Sequence, residues 1–257
     1  MHRSAIIGAG ILSIIGFVSA ASAADLPAAT YTKAPAIVDP AYNWSGFYLG
    51  VEGGGVWGRS QHYRNDPLTP AFNGVPQTGG INADGGLAGG TLGYNYQFSN
   101  NVVIGFETDG SWMNNKGTAN IVAPFVPTTD TAETSQSWLY TVRGRLGYAW
   151  NRWMVFATGG VAFTDEGMQL CAVAFGCGNQ SKIVAGWTAG GGVEYAFASN
   201  WSAKLEYLHN DFGSQHFERT PVGAVSFFAK DVTLTNDIVR AGVNYKFGWE
   251  GPVVANY

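Results

Sequence analysis

Residues 138–150 read Trp-Leu-Tyr-Thr-Val-Arg-Gly-Arg-Leu-Gly-Tyr-Ala-Trp. Trp138, Tyr140, Val142, Leu146, Tyr148 and Trp150 share one parity, and Thr141, Arg143, Arg145 and Gly147 share the other. A period of two marks an extended strand, because successive side chains point to opposite faces. A helix would mix the two classes on every face. Asn151-Arg152 follows, and alternation resumes with Trp153, Val155, Ala157, Val161 and Phe163 against Thr158 and Gly160. Two strands around a two-residue turn predict a β-hairpin. Met154 and Phe156 also fall on the second face and weaken its polarity.

The same pattern recurs in both directions from this hairpin. It predicts eight strands: Phe47 to Trp57, Leu87 to Phe98, Val102 to Trp112, Trp138 to Trp150, Trp153 to Phe163, Ile183 to Phe197, Trp201 to Phe212 and Asp231 to Phe247. The turns at 99–101, 151–152 and 198–200 are short. The connections 58–86, 113–137, 164–182 and 213–230 are long and rich in Gly, Pro, Asn, Thr and Ser. Short turns at one end and long loops at the other describe an antiparallel up-and-down meander crossing a membrane.

Composition agrees. Only 12% of the 257 residues are charged, against 14% aromatic and 36 glycines. A disordered chain would be charge-rich and aromatic-poor, and this many glycines would weaken a helical bundle. The net charge of −4, without any basic block, argues against a nucleic-acid partner.

The polar faces decide which way the sheet is turned. They carry Glu52, Glu107, Asp109, Glu194 and Glu206 against Arg143, Arg145, Lys204, Arg240 and Lys246, set among Gly, Ser and Thr. Equal numbers of acids and bases among small residues predict a narrow interior where charges must pair to offset desolvation. The apolar faces place Phe98, Trp112, Trp138, Trp150, Trp153, Phe163, Phe197, Trp201 and Phe247 at strand ends. Interfacial aromatic girdles occupy such positions. The expected fold is therefore an all-β, eight-stranded antiparallel transmembrane barrel, whose lumen side chains just fill. A soluble lipocalin-like binder would have the two faces inverted.

Residues 1–23 read as a secretory signal: His2 and Arg3, a 14-residue apolar stretch from Ala5 to Val18, and Ala21-Ser22-Ala23 as cleavage site. An Ala/Pro-rich arm is expected over 24–41, the barrel over 42–247 and a tail over 248–257. In an exported loop, Cys171 and Cys177 are expected to form a disulfide.

Three features invite catalytic readings. Glu107 and Asp109 could act as an acid/base pair, but one strand face points to salt bridges with Arg143 or Arg145. His209, Asp211, His216 and Glu218 cluster near one loop, yet their spacing matches no metal-ligand motif. Gly85–Gly90 lacks the Lys-Ser/Thr of a phosphate loop. No catalytic, cofactor-binding or metal site is expected.

Four blocks carry a family resemblance: Tyr42-Asn-Trp-Ser-Gly-Phe-Tyr-Leu-Gly50, Gly89-Gly-Thr-Leu-Gly-Tyr-Asn-Tyr-Gln-Phe98, Gly105-Phe-Glu-Thr-Asp109 and Val239-Arg-Ala-Gly-Val-Asn-Tyr-Lys-Phe247. Over 42–247 the chain resembles alphaproteobacterial outer-membrane β-barrel proteins, OmpA-like eight-stranded barrels related to the immunogenic, porin-like surface proteins of brucellae and rhizobia. The resemblance implies a bacterial outer-membrane location and a structural surface role, without catalytic residues. The implied partners are outer-membrane lipid, the barrel assembly machinery and extracellular loop ligands. Members end on an aromatic assembly signal, which here is Phe247 or Tyr257. Two alternatives to the structural role are a narrow porin-like channel and a barrel enzyme acting on lipid or protein.

Overall fold

The computed structural model describes residues 42–65, 67, 70–121, 130–172, 176–218, 221–222, 225–226 and 230–248. The expected signal and arm therefore lie outside the described residues, as do 249–257 with Tyr257.

Eight long strands form one closed barrel: β1 (Gly46–Arg64), β2 (Ile81–Gln97), β3 (Val102–Asn120), β4 (Thr131–Trp150), β5 (Trp153–Ala172), β6 (Gly176–Ala196), β7 (Trp201–Phe217) and β10 (Lys230–Lys246). Each strand pairs antiparallel with its sequence neighbour, and β1 closes the cylinder against β10, with Tyr48 opposite Lys246 and Val56 opposite Ile238. A small ribbon, β8 (Pro221–Val222) with β9 (Val225–Ser226), lies between β7 and β10 in the chain. The short turns form where expected. Asn101 and Asn151 take positive φ of 67° and 53°, a conformation Asn tolerates and tight hairpins use.

The apolar faces point outward. Phe47, Leu49, Val51, Leu92, Phe106, Leu146 and Leu205 are exposed, and Trp112 reaches 79%. From Phe47 to Trp57 the band spans eleven residues, about 25 Å along the axis of a tilted strand.

The strands run further than the alternation foretold. β1 continues to Arg64 rather than Trp57, β3 to Asn120 rather than Trp112, and β5 to Ala172 rather than Phe163. The long connections shrink correspondingly. Beyond the band the outward positions turn polar, with Arg59, Asp84, Lys116 and Glu133. The inward ones turn apolar, with Ile81, Ile121, Met168, Leu170, Phe217 and Val232 packed together. The alternation continues with its sense reversed, so a search for outward hydrophobics stops too early. Register shifts between Trp112 and Asn115 and between Ser135 and Leu139 fall at this boundary. There the Asp165 carboxylate accepts the backbone N–H groups of Ser137 and Trp138, at 2.8 and 3.1 Å.

Two further apolar clusters bracket the middle of the lumen. Trp44, Val103, Ala149, Met154 and Ala196 fill the short-turn end, which explains Met154 on a nominally polar face. Val56, Leu87, Met113, Leu139, Val184, Leu208, Phe212 and Ile238 pack above.

Candidate functional site

Between these clusters lies an ionic layer. Nine of the ten expected charges meet there, from six strands: Glu52, Glu107, Asp109, Arg143, Arg145, Glu194, Lys204, Glu206 and Arg240, all buried. Arg143 reaches Glu107 and Asp109 (3.0 Å) with one nitrogen and Glu206 (2.7 Å) with another, while its Nε donates to Thr141. Arg240 bonds Glu52, Asp109 and Glu206, the last at 2.7 Å. Lys204 Nζ lies 3.0 Å from Glu107, 3.5 Å from Glu52 and 3.6 Å from Glu206. Arg145 pairs with Glu194 and stacks 3.7 Å above the Phe156 ring. This contact accounts for the second apolar residue on the inner face. Buried ions are tolerable only with such multiple pairing.

Space for these side chains comes from glycine. In register, Gly242 faces Glu52, Gly93 faces Glu107, Gly160 faces Arg143, Gly105 faces Arg145, Gly192 faces Glu206 and Gly54 faces Arg240. At Gly93 a Cβ would lie 2.3 Å from the Tyr48 ring. Without it, Tyr48 crosses that position and donates its hydroxyl to Glu107 at 2.7 Å. The layer also recruits Ser202 and Asn244, which donate to Glu194 at 2.5 and 2.8 Å. Tyr48, Ser202 and Asn244 share the inward parity of the charges, and that parity was the signal that could have found them.

Lys246 is the tenth expected member and lies elsewhere. Its Nζ sits 4.2 Å from the Tyr42 ring and bonds the Asn43 carbonyl at the short-turn rim. The layer thus holds five acids and four bases. Glu107 and Asp109 are committed to cations and leave no free acid/base pair.

The loop cluster does not converge. His209 Nδ1 contacts Asp237 at 2.8 Å, and the Tyr207 hydroxyl donates to the same oxygen at 2.6 Å. Asp211 accepts the Gly213 N–H at 2.8 Å. His216 contacts Asp231 at 2.8 Å and Glu218 only at 3.9 Å. Among the described residues, no three His, Cys, Asp or Glu side chains gather closely enough to hold a metal. Cys171 and Cys177 face each other across β5 and β6 and are joined by a disulfide.

The model of the outer membrane protein beta-barrel domain family matches residues 11–247. The chain belongs to this outer-membrane β-barrel family. The 31 kDa outer-membrane immunogenic protein of Brucella melitensis is 34% identical over 240 residues, which cover 90% of this chain and 95% of that relative. The 22 kDa outer membrane protein of Rhizobium leguminosarum bv. viciae is 31% identical over 181 residues, 70% of each chain. Among solved structures, the outer membrane protein OprG of Pseudomonas aeruginosa is similar, with 12% identity and a TM-score of 0.47 over 80% of this chain and 99% of that one. The chain is an outer-membrane protein, and its apolar band meets the hydrocarbon.

Like any outer-membrane barrel, it closes without a free edge: Phe247 donates its N–H to the Phe47 carbonyl at 2.8 Å. Phe247 itself is exposed at the band's lower rim.

Beyond the membrane-spanning band, the barrel lumen holds a second polar group that sequence reading missed. Lys230 Nζ lies 3.2 Å from His62 Nδ1, and His62 Nε2 lies 3.1 Å from the Thr134 hydroxyl. Glu166 is buried nearby, and neither carboxylate oxygen has a hydrogen-bond partner. Burial pushes the Glu166 carboxyl up to about 8, against the opposing pull of Lys182 and Lys230. It brings Lys230 down to about 7, opposed by Glu166. Burial, then the Lys230 charge, hold His62 well below the usual imidazole range. These residues come from β1, β5 and β10, and no local pattern links them.

Proposed function

We propose that this chain is a structural, non-enzymatic surface protein of the outer membrane. It braces the envelope with a side-chain-filled lumen, and its long-loop end faces outside to display loops to extracellular ligands. The observation that carries this reading is the stacking inside the barrel. The ionic layer lies between the Trp44–Met154 cluster and the Val56–Ile238 cluster, so a conducting path would have to cross two apolar plugs and a set of paired charges. The relatives named for immunogenicity suit a chain displayed at the surface.

Planar-bilayer recording tests it. The refolded protein should insert without steady unitary current at 1 M KCl. Reproducible ohmic steps would favour the narrow-channel alternative and sink the filled-lumen reading.

A further inference from the structure

Above the aromatic girdle, strands β4, β5 and β6 present an outward face unlike the rest of the wall. Two rows of side chains run across the three strands in register. The upper row is Glu133, Gln169 and Asn179; the lower is Ser135, Gly167 and Ser181. Together they line a cleft of about 320 Å³. Three strands and two rows give a footprint of roughly 10 by 7 Å, about that of one sugar ring with its hydroxyls. Gly167 forms the floor. A Cβ there would meet the Ser135 hydroxyl at 2.6 Å, so the hollow depends on the missing side chain.

The lining sets the ligand class. Gln169 and Asn179 offer amides that donate and accept, Ser135 and Ser181 offer hydroxyls that do both, and Glu133 only accepts. A carboxylate with neighbouring amides suits a pair of adjacent hydroxyls. No Lys or Arg lines the cleft, so a phosphate or sulfate group would meet only the Glu133 charge. The ligand it fits is a neutral polyol ring.

Position sets the source. Gly167 lies four residues beyond Phe163, and Asn179 eight beyond Trp187. The cleft therefore stands about 10–20 Å above the girdle on tilted strands. It opens sideways, along the membrane plane, toward the head region of neighbouring lipids. The arm carrying it is covalently held. β6 is laddered to β7 only from Trp187 to Ala196, while its pairing with β5 continues to the tip. The Cys171–Cys177 disulfide ties that hairpin two pairs beyond Gln169 and Asn179.

We propose that this cleft binds a neutral hexose or heptose residue of a glycan carried by an adjacent outer-leaflet lipid. The proposal rests on the long-loop end facing outside. It is independent of the filled lumen, so the bilayer recording can fail without touching it.

The full chain is refolded into nanodiscs, and the side-chain amides of Gln and Asn are followed by NMR. Methyl α-mannoside, methyl α-glucoside and a methyl heptoside probe the free sugar, and intact rough lipopolysaccharide probes the lipid-borne one. The expected result is a saturable shift of the Gln169 and Asn179 amides with at least one glycoside. Lipopolysaccharide in the same disc should saturate them at tenfold or more lower concentration. Gly167→Val and Glu133→Gln should each weaken binding about tenfold, with heat-modifiable gel mobility unchanged. Reducing the disulfide should weaken binding while the barrel stays folded. Folded protein whose Gln169 and Asn179 amides ignore every probe would overturn the proposal, as would a Gly167→Val protein that binds like the parent. Binding to free glycosides with no gain from lipopolysaccharide would overturn the lipid-borne source.

Discussion

Strand β5 passes through two solvents, and its two halves obey opposite rules. From Trp153 to Phe163 its outward side chains are apolar, while inward Thr158 and Gly160 border the ionic layer. From Asp165 to Cys171 the outward side chains are Asp165, Gly167 and Gln169, while Glu166, Met168 and Leu170 are buried inside. The lower half is a membrane barrel and the upper half an ordinary water-soluble one, in a continuous ladder. The difference extends to how each half treats buried charge. In the lower half Arg143, Lys204 and Arg240 each touch three carboxylates or more. In the upper half Glu166 has no hydrogen-bond partner. Where bilayer seals the wall, charges must satisfy one another. Above it, a carboxyl can be held protonated instead.

The sharpest way to break this contrast is to remove a carboxylate from the lower half. Glu107→Ala takes a partner from Arg143, Lys204 and Tyr48 at once. It should cost about 3–5 kcal/mol, as loss of one member of a buried ion pair does, read from the urea unfolding midpoint in liposomes. An unchanged midpoint would remove the case for a stabilising ionic layer.

The upper half should respond in the other direction. The Glu166 carboxyl is raised to about 8 in the folded barrel, against a free value near 4.3. Between those values the folded chain holds a proton that the unfolded chain releases, so this group costs stability as pH rises. Lys230, lowered to about 7, has the opposite sign and acts only above that pH. Glu166→Gln should therefore leave the heat-modifiability transition unchanged at pH 4.5 and raise it by a few degrees at pH 8. A variant whose difference from the parent does not grow between those pH values would contradict a protonated Glu166.

The smallest effect sharpens the boundary of the ionic layer. Lys246→Ala removes a half-exposed rim cation and should shift the midpoint by less than about 0.5 kcal/mol. Lys204→Ala, inside the layer, should match Glu107→Ala. Equal costs for the two lysines would place Lys246 back among the paired charges.

The halves also differ in how far the sequence announced them. Strands within the bilayer were legible because a hydrocarbon outside enforces a strict period of two, as in Tyr140, Val142, Leu146 and Tyr148. The parity that exposed these residues also named Glu107, Arg143 and Arg240. Above the band the outward constraint is only solubility, so Arg59, Asp84 and Lys116 read as loop. Lys246 was misplaced because parity gives a face and not a height. The trio of His62, Glu166 and Lys230 was hidden because only strand pairing brings positions so far apart in the chain, His62 and Lys230 by 168 residues, into one chamber.

The matching of most of the buried ions to a glycine across the ladder has a consequence for assembly. A slip of one residue between strands turns every side chain to the wrong face, and the membrane alone rejects it. A slip of two preserves inside and outside, so hydrophobicity cannot detect it. It would, however, move Arg143 from Gly160 to Thr158 or Ala162, and Glu107 from Gly93 to Thr91 or Asn95. The ion–glycine pairs thus act like the wards of a lock, allowing the cylinder to close in one alignment.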